Sequence, residues 1–274
     1  MKAAVLARGL GRRMRERDPD ANLSNAQVAA ATAGAKAMMP IAGDDRSAPR
    51  PFLDYVLASL ADAGMTEVAL VVGPEHDAVR TRYARPGEAQ RLAVSCLEQR
   101  EPRGTADAVL SCEPWTGREP FIVVNGDNLY PVAALRALRD LDTPGLPVFE
   151  RDDLVASSNI PASRIAAFAL VHVSADGWLE RIEEKPDVAA LARSGGRALI
   201  SMNCWRFDAR IFEACRGVAP SSRGEFELPH AVALALTRGV EFRAVPGRGP
   251  VLDLSRQGDV SEVAQRLASQ SARW

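Results

Sequence analysis

Residues 4–14 (AVLARGLGRRM) combine the features expected of a loop that binds polyphosphate. A short apolar run leads into Gly9 and Gly11, and two consecutive arginines, Arg12 and Arg13, follow. Glycines let backbone N–H groups approach an anion closely, and arginines supply fixed positive charge where negative charge shifts during phosphoryl chemistry. The types and spacing of these residues therefore predict a phosphate site directly after the first strand.

The loop fits neither of two better-known phosphate-binding motifs. A dinucleotide-binding fingerprint requires glycine at the sixth position of GxGxxG, and this chain has Met14 there. A Walker loop requires Gly-Lys-Ser or Gly-Lys-Thr, which the sequence lacks. By itself the loop is equally compatible with a plain turn that carries surface arginines.

The overall composition requires any anion site to be a local feature. The 274 residues carry a net charge of −1, with 47% hydrophobic and 25% charged residues, as in an ordinary soluble globular protein. A nearly neutral chain has no global field that attracts nucleic acid or an anionic membrane, so we expect neither as a partner. The length suits one large α/β domain or two small ones.

The cysteine and apolar patterns indicate a cytoplasmic protein. The four cysteines show no CxxC spacing and the chain has only three histidines, which argues against a zinc site and suits a reducing compartment. The N-terminal apolar run of about five residues is too short for a secretory signal peptide. No run approaches the roughly 18 apolar residues of a membrane span.

Strands that alternate with helices predict a doubly wound parallel sheet in the first part of the chain. The predicted strands are 3–7, 67–73, 92–97 and 121–127, and the predicted helices are 52–64, 74–83 and 104–112. The site of such a sheet lies at the carboxyl ends of its strands. The loop after Ala7 and the strand end at Asp127 are therefore expected to meet there.

The pattern changes after about residue 145, where longer strands separated by turns are predicted. These strands are 165–173, 178–183, 198–207, 240–245 and 250–254, with helices at 225–238 and 259–269. Between the first loop and the second strand, Ser24 or Asn25 is predicted to cap a short helix. Residues 15–35 are either a mobile insert over the site or a solvated surface helix.

Seven segments, taken together and in order, resemble the sugar-1-phosphate nucleotidyltransferases, also called nucleotide-diphosphosugar pyrophosphorylases. They are residues 6–14 (LARGLGRRM), 36–43 (KAMMPIAG), 99–108 (QREPRGTADA), 126–128 (GDN), 183–186 (EEKP), 224–228 (GEFEL) and 252–254 (LDL). The resemblance covers nearly the whole chain. It implies a single α/β domain with a Rossmann-like, three-layer, GT-A-like fold and a mixed, mostly parallel central sheet. Residues 1–145 would form the nucleotide-binding half, and residues 146–274 the sugar-phosphate-binding half with a closing helix.

The resemblance also implies a reaction. In this family, Mg²⁺-dependent enzymes transfer a nucleotidyl group from a nucleoside triphosphate to a sugar-1-phosphate, giving a nucleotide sugar and pyrophosphate. The sugar phosphate oxygen attacks the α-phosphorus in line, so catalysis consists of positioning and charge neutralisation. The implied partners are an NTP and a sugar-1-phosphate, or a similar phosphorylated polyol or cyclitol, and the resemblance is compatible with a homo-oligomer.

Four residues match the family's catalytic and metal-binding positions. Asp127 matches a Mg²⁺ ligand, and Asp253 matches a second ligand on a late strand. Two carboxylates on a hard cation that also takes phosphate oxygens are the expected magnesium chemistry. Arg13 matches the arginine that steadies the triphosphate and the leaving pyrophosphate, and Lys36 matches the lysine near the α-phosphate.

Further matches frame the nucleotide and the sugar. Gln99 and Gly104 match positions beside the base, and Gln99 suits a pyrimidine, which gives a mild preference for UTP or dTTP. Thr105 is expected to cap the helix that follows it. The full predicted nucleotide-binding set is Leu6, Ala7, Gly9, Gly11, Arg13, Gln99, Gly104 and Thr105. On the sugar side, Lys185 matches the phosphate-binding lysine, Glu184 would accept from sugar hydroxyls, and Asn203 lies near the sugar.

Several departures from the family pattern leave the acceptor open. Arg8 stands where the family usually has a small residue, Arg12 replaces Thr or Ser, and Ala37 replaces proline. Two alternatives therefore remain. One is a non-catalytic regulatory relative that binds nucleotide sugars. The other is a nucleotidyltransferase for a non-sugar phosphate or phosphonate such as choline phosphate, for which Trp178 and Trp205 would supply aromatic contacts.

Overall fold

The computed structural model describes residues 1–41, 48–83, 91–194 and 198–274. Fourteen strands are found in these ranges: β1 (Lys2–Leu6), β2 (Pro40–Ile41), β3 (Arg50–Pro51), β4 (Glu67–Val72), β5 (Ala93–Glu98), β6 (Phe121–Asn125), β7 (Asn128–Leu129), β8 (Gly145–Glu150), β9 (Ala169–Val173), β10 (Leu179–Glu183), β11 (Leu199–Ser201), β12 (Trp205–Phe207), β13 (Arg243–Pro246) and β14 (Leu252–Asp253).

Twelve α-helices accompany the strands in the same ranges. They are α1 (Arg12–Arg15), α2 (Asn25–Ala33), α3 (Phe52–Asp62), α4 (Asp77–Tyr83), α5 (Thr105–Leu110), α6 (Glu113–Thr116), α7 (Val132–Arg139), α8 (Arg151–Ser157), α9 (Val188–Ser194), α10 (Arg210–Gly217), α11 (Leu228–Thr237) and α12 (Asp259–Leu267). None of these helices has both the length and the apolar character needed to cross a membrane.

Ten strands form one central sheet in the order β10-β9-β11-β8-β12-β6-β1-β4-β5, with β13 beside β8. The strands β5, β4, β1 and β6 are mutually parallel, whereas β12 runs antiparallel to β6 and to β8. The remaining edge through β11, β9 and β10 is antiparallel. The prediction of a mixed, mostly parallel central sheet with flanking helices is confirmed.

The apolar strands explain the two faces of this sheet. Successive side chains of a strand point to opposite faces, so Ala3 and Val5 join one core while Ala4 joins the other. Helices α3, α7 and α12 pack in the first core, and α5, α10 and α11 pack in the second. Both faces are covered, which explains why β1 is apolar at consecutive positions.

A cluster of stacked rings holds β12 against β6. The Phe121 ring lies 5.5 Å from Phe212 and 6.1 Å from Phe207, and Trp205 stacks on Phe207 at 5.6 Å. These side chains are almost completely buried. The ring packing fixes the position of the antiparallel strand next to the strand that ends at the candidate site.

Two predicted strands are interrupted. The segment 165–173 begins as a 3-10 turn, Ala162–Ala167, and becomes strand only at Ala169. The segment 198–207 is two strands, because Asn203 takes a left-handed conformation with φ +58° between β11 and β12. Each piece then pairs differently, β11 with β8 and β9, and β12 with β6 and β8.

The helix predicted within 15–35 is present as α2. Ser24 caps it, since its hydroxyl accepts from Gln27 N at 3.3 Å and Gln27 Oε1 accepts from Ser24 N at 2.9 Å. The Gln27 amide also donates to Pro40 O at 2.9 Å, which ties the segment to β2. The last two residues of the 36–43 motif, Ala42 and Gly43, lie outside the described residues.

Candidate functional site

A cavity of about 450 Å³ opens at the carboxyl ends of β1 and β6. It brings together most of the residues predicted from the sequence: Leu6, Gly9, Gly11, Arg13, Lys36, Gln99, Gly104, Thr105, Asp127, Glu184, Asn203 and Asp253. Ala7 lines a smaller adjacent cavity, which shares Lys36 and Asp127 with the larger one. Lys185 lines neither of the two.

The loop after β1 presents its arginines to the cavity from a fixed glycine turn. Gly11 has φ +60°, and a Cβ there would lie 2.3 Å from Gly34 O, so both conformation and close packing require glycine. The helix that follows buries Met14 and leaves Arg12 and Arg13 exposed. In the described ranges neither arginine forms an ion pair, so two positive charges line the cavity unneutralised.

Lys36 and Asp127 form an ion pair at the centre of the site. Lys36 opens the 3-10 turn Lys36–Met38, and its Nζ lies 2.8 Å from Asp127 Oδ2. Asp127 follows β6 in the turn that Gly126 begins, and Gly126 N donates to Leu6 O at 2.9 Å. The two side chains are 16% and 29% exposed, so both can still be reached from the cavity.

A chain of side-chain amides connects the sugar-side wall to Asp253. Asn203 Nδ2 donates to Asn125 Oδ1 at 2.9 Å, Asn125 Nδ2 donates to Asn128 Oδ1 at 3.2 Å, and Asn128 Nδ2 donates to Asp253 Oδ1 at 2.9 Å. Trp205 Nε1 holds Asn203 by donating to its Oδ1 at 3.0 Å. The amide orientations are thus set along the whole wall, and Asp253 is fixed at its end.

Asp253 is held far more tightly than Asp127. It is 3% exposed, Asn128 and Ser255 both donate to its Oδ1, and Arg164 pairs with its Oδ2. Arg164 also pairs with Asp259 at the start of α12. Arg164 lies in the 3-10 turn Ala162–Ala167, which overlaps the start of the predicted strand 165–173, and its N donates to Pro161 O.

The two carboxylates differ in how well they suit Mg²⁺. Mg²⁺ is usually bound by one or two carboxylates together with substrate phosphates. Asp127 suits this role because it faces the cavity and only its Oδ2 has a partner in the described residues. Asp253 has the correct chemistry, but both its oxygens are engaged and Arg164 already neutralises it. No cluster of three or more His, Cys, Asp or Glu ligands is found among the described residues.

At the predicted base end of the cavity, the prediction for Thr105 is wrong. Thr105 does not cap the helix α5 that it opens. Its hydroxyl instead accepts from Leu228 N at 2.8 Å, so it caps α11, whose first turn lies against α5 in the fold. Gly104, with φ +118°, packs so closely on Phe226 that a Cβ would lie 2.4 Å from its carbonyl oxygen.

Gln99 is buried at this same end and its amide is already oriented. Its Nε2 donates to Gly104 O at 3.1 Å and to Asp107 Oδ2 at 2.7 Å. Gln99 is only 3% exposed. The carboxamide is therefore preorganised, with its nitrogen committed to the protein.

The sugar end contains a compact set of opposite charges. Lys185 Nζ lies 3.3 Å from Glu184 and 3.6 Å from Glu227, and Arg223 Nη2 lies 2.8 Å from Glu227. Burial raises the pKa of Glu184, and the charge of Glu227 adds to this rise while Lys185 opposes it. Burial acts in the same direction on Glu227, but hydrogen bonds from Arg223 and Ser221 outweigh it and lower its pKa to about 2.

The polar residues of the site that were missed in the sequence include Arg223, Asn125 and Arg164. Arg223 directly precedes the 224–228 motif and lines the cavity, so its position beside the motif was an available signal. Asn125 also lines the cavity, one residue before the GDN motif. Arg164 gives no local signal, because its partner Asp253 is 89 residues away.

The aromatic residues proposed for a choline-like acceptor are elsewhere. Trp205 is fully buried in the ring cluster, and Trp178 lies against Arg243, 5.0 Å from ring centroid to guanidinium carbon. Neither side chain lines the cavity. Phe168 is the aromatic residue found in its described lining.

Known proteins resemble this chain over nearly its full length. Glucose-1-phosphate thymidylyltransferase from Streptomyces antibioticus is 29% identical over 266 residues, which cover 96% of this chain and 65% of that protein. The chain thus spans about two thirds of that relative, and it spans 65% of the thymidylyltransferase from Streptomyces griseus. UTP–glucose-1-phosphate uridylyltransferase AglF from Haloferax volcanii is 24% identical over 277 residues, covering 100% of this chain and 99% of that protein.

A solved structure shares the fold. UDP-glucose pyrophosphorylase complexed with UDP-glucose superposes with a TM-score of 0.75 at 16% identity, covering 98% of this chain and 99% of that one. The sequence model of the nucleotidyl transferase family matches residues 32–267. This match spans most of the chain, from α2 to α12, and includes nearly all of the cavity wall outside the first loop. The chain belongs to the nucleotidyl transferase family.

Proposed function

We propose that this protein transfers a nucleotidyl group from a nucleoside triphosphate to a sugar-1-phosphate, releasing pyrophosphate and a nucleotide sugar. The observation that carries the proposal is the division of the cavity into two ends. One end has unneutralised arginines beside the Lys36–Asp127 pair, and the other has carboxylates and amides. The relatives are named for thymidylyl and uridylyl transfer with glucose-1-phosphate, and the same class of substrates suits both ends.

The loop end suits a triphosphate. Arg12 and Arg13 project from a glycine-rich turn and keep their charges for a ligand. A polyphosphate needs both positive charge and close backbone approach, and this loop supplies both. Arg13 would therefore bind the part of the triphosphate that leaves as pyrophosphate.

The opposite end suits a sugar phosphate. Glu184 and Asn203 supply acceptors and donors for sugar hydroxyls, and Arg223 supplies a cation that also lines the cavity. Lys185, which the sequence favours for the phosphate, points to Glu184 and Glu227. We infer that Arg223 shares the phosphate contact and that Lys185 acts partly by balancing these carboxylates.

The reaction needs no covalent protein intermediate. An oxygen of the sugar phosphate attacks the α-phosphorus, the bond from that phosphorus to the bridging oxygen breaks, and pyrophosphate leaves with the electron pair. Lys36, adjacent to Asp127, would compensate charge at the α-phosphate, and Arg13 would compensate charge on the leaving group. Asp127 would hold Mg²⁺, which when bound would supply charge neutralisation at the phosphate oxygens. Asp253, which is already paired with Arg164, is not assigned to the metal.

We favour a nucleotide substrate whose base is uracil or thymine. Gln99 is buried at the base end with its nitrogen committed to Gly104 and Asp107. Its carbonyl oxygen is then available to accept from the N3–H that uracil and thymine carry. Adenine and cytosine have no such ring N–H on that edge.

The direct test is a pyrophosphate-release assay that crosses the common NTPs with a panel of sugar-1-phosphates, with Mg²⁺ or with EDTA. The proposal expects metal-dependent release that requires one NTP and one sugar-1-phosphate together. Binding of a nucleotide sugar without release from any pair would instead favour a regulatory relative. Release that requires only a choline-like phosphate would replace the sugar acceptor.

A further inference from the structure

Arg8 carries a buried charge that the proposed reaction does not use. It is 8% exposed, and its Nε and Nη1 are buried without any hydrogen-bond partner in the described structure. Its remaining nitrogen, Nη2, lies 3.3 Å from Glu75 Oε2, and the Glu75 side chain is half exposed. Buried donors without partners are costly and uncommon, and a charged one is more so. A ligand that supplies acceptors would remove this cost.

The side chain of Arg8 lies on one particular side of the cavity. A Cβ on Gly73 would lie only 2.2 Å from Arg8 Nε, so the guanidinium lies directly on the backbone at the end of β4. In the sheet, β4 separates β1 from β5, and Gln99 follows β5. Asp127 follows β6, which is on the opposite side of β1. Arg8 therefore extends toward Gln99 and away from the Lys36–Asp127 pair.

The chemistry of this end calls for acceptors on the ligand. A guanidinium has five N–H donors, no acceptor and a permanent charge. It lines the same cavity as Gln99 and Gly104, the residues proposed to frame the base. Nucleobases differ in the pattern of carbonyl oxygens and ring nitrogens at their edges, and arginine discriminates among them on that basis.

We propose that Arg8 selects the nucleotide by donating hydrogen bonds to an acceptor atom of the nucleobase, an inference that rests on the proposed function. The side chain is a specificity residue rather than a phosphate ligand. Glu75 orients it from the outside, and Gly73 gives it room to lie flat. Nucleotide choice thus depends on a residue that stands where the family pattern has a small one.

The test is a binding measurement that needs no turnover. Calorimetric Kd values are measured for UTP, dTTP, CTP, GTP, ATP and tripolyphosphate, the last as a probe without a base, in the absence of any acceptor. Arg8→Met keeps the aliphatic stem and removes the donors. This substitution is expected to raise the Kd of the most tightly bound nucleotide about tenfold or more and to leave the Kd of tripolyphosphate unchanged. The preference for that nucleotide over the others is expected to shrink.

Two further variants make the result specific to the guanidinium. Gly73→Ala leaves Arg8 in the sequence but displaces it, and it is expected to reproduce the loss of nucleotide preference. Arg216→Met is the matched control, because Arg216 likewise pairs with a single carboxylate, that of Glu113, but does not line the cavity. It is expected to keep the wild-type preference. Thermal unfolding verifies that each variant is folded.

Several results would overturn the assignment. Parallel loss of tripolyphosphate affinity would make Arg8 a phosphate ligand, and an equal loss for all five nucleotides would point to the ribose. Unchanged affinities in folded Arg8→Met would leave the residue with a structural role only. If the wild type binds no nucleotide, the proposed function fails as well. Selective binding by the wild type that Arg8→Met retains would refute the Arg8 inference alone.

Discussion

The cations on the two sides of the cavity differ in whether the protein itself neutralises them. Arg12 and Arg13 in the loop after β1 form no ion pair within the described ranges. Across the cavity and behind its wall, Arg223, Lys185 and Arg164 each pair with two carboxylates. The first side keeps the positive charge of these arginines for a ligand. On the second, which we call the balanced side, five carboxylates neutralise the three cations before any ligand arrives.

This difference corresponds to the chemistry of the two proposed substrates. A triphosphate carries several negative charges and requires positive charge that no protein carboxylate already uses. A sugar phosphate carries fewer charges and many hydroxyls, so a set of oriented carboxylates, amides and a shared arginine suits it better. The comparison predicts that loop variants change function at little cost in stability, while variants on the balanced side change both.

The largest functional effect is expected at Asp127. Asp127→Asn keeps the shape but removes the charge beside Lys36 and the predicted metal ligand. Turnover should fall roughly 100-fold or more, because the carboxylate that would hold Mg²⁺ at the reacting phosphates is lost. Initial rates of pyrophosphate release measure this loss. Asp176→Asn, in the exposed turn between β9 and β10, is the matched control and should retain wild-type rates.

The largest stability effect is expected at Arg164. Arg164→Met leaves Asp253 and Asp259 buried without their cation and should destabilise the fold by about 3 kcal/mol. Urea unfolding measures the difference. Arg151→Met breaks an exposed pair with Asp152 and should cost about 1 kcal/mol or less. Equal stability of the two variants would show that the balanced side does not depend on Arg164.

Variants of the loop after β1 should change substrate binding and leave stability unchanged. Arg13→Met should raise the KM for the NTP about 10- to 100-fold, the value of a charge-assisted hydrogen bond, with an unchanged unfolding midpoint. Arg223→Met should instead raise the KM for the sugar phosphate and lower stability, because Glu227 loses the nearer of its two cations. Arg17→Met, an exposed arginine outside the cavity, is the control. A loss of stability in Arg13→Met that matches Arg223→Met would remove the distinction.

The smallest effect concerns pH. Burial raises the pKa of Glu184 above the usual 4.5, so its carboxylate protonates at a higher pH than an ordinary glutamate does. As the pH falls through this raised pKa, the acceptor for sugar hydroxyls is lost and kcat/KM for the sugar phosphate should decrease. Glu184→Gln should lack this decrease at low pH, and its kcat/KM at neutral pH should be only a few-fold lower than that of the wild type. Dividing the two pH profiles cancels the titration of the substrate, and a flat ratio would contradict the assignment.

Local sequence signals predicted the nucleotide side well. The apolar runs of β1, β4 and β6 are set by burial on both faces, and the glycines and Asp127 at their ends are adjacent to them in the chain. The cap of α2 at Ser24 is likewise a contact over three residues. Such features depend on neighbours in sequence, and they could therefore be identified without the structure.

The balanced side depends on contacts between distant residues. Arg164 meets Asp253 across 89 residues, and Thr105 caps α11 across 123 residues rather than its own helix. The break between β11 and β12 follows from the left-handed Asn203, whose amide is held by Trp205 and Asn125. These arrangements leave no periodic pattern in the sequence, and so the segment 165–173 after Arg164 and the segment 198–207 that contains Asn203 were each predicted as one continuous strand.

The measurement that tests the central claim most directly is product analysis of a reaction with ¹⁸O-labelled sugar-1-phosphate. If the unpaired loop cations bind the triphosphate and the balanced side binds the acceptor, pyrophosphate and nucleotide sugar should form one to one. All the label should be in the nucleotide sugar, and EDTA should abolish both products. Formation of nucleoside monophosphate with pyrophosphate, or label in the pyrophosphate, would contradict transfer to a sugar phosphate.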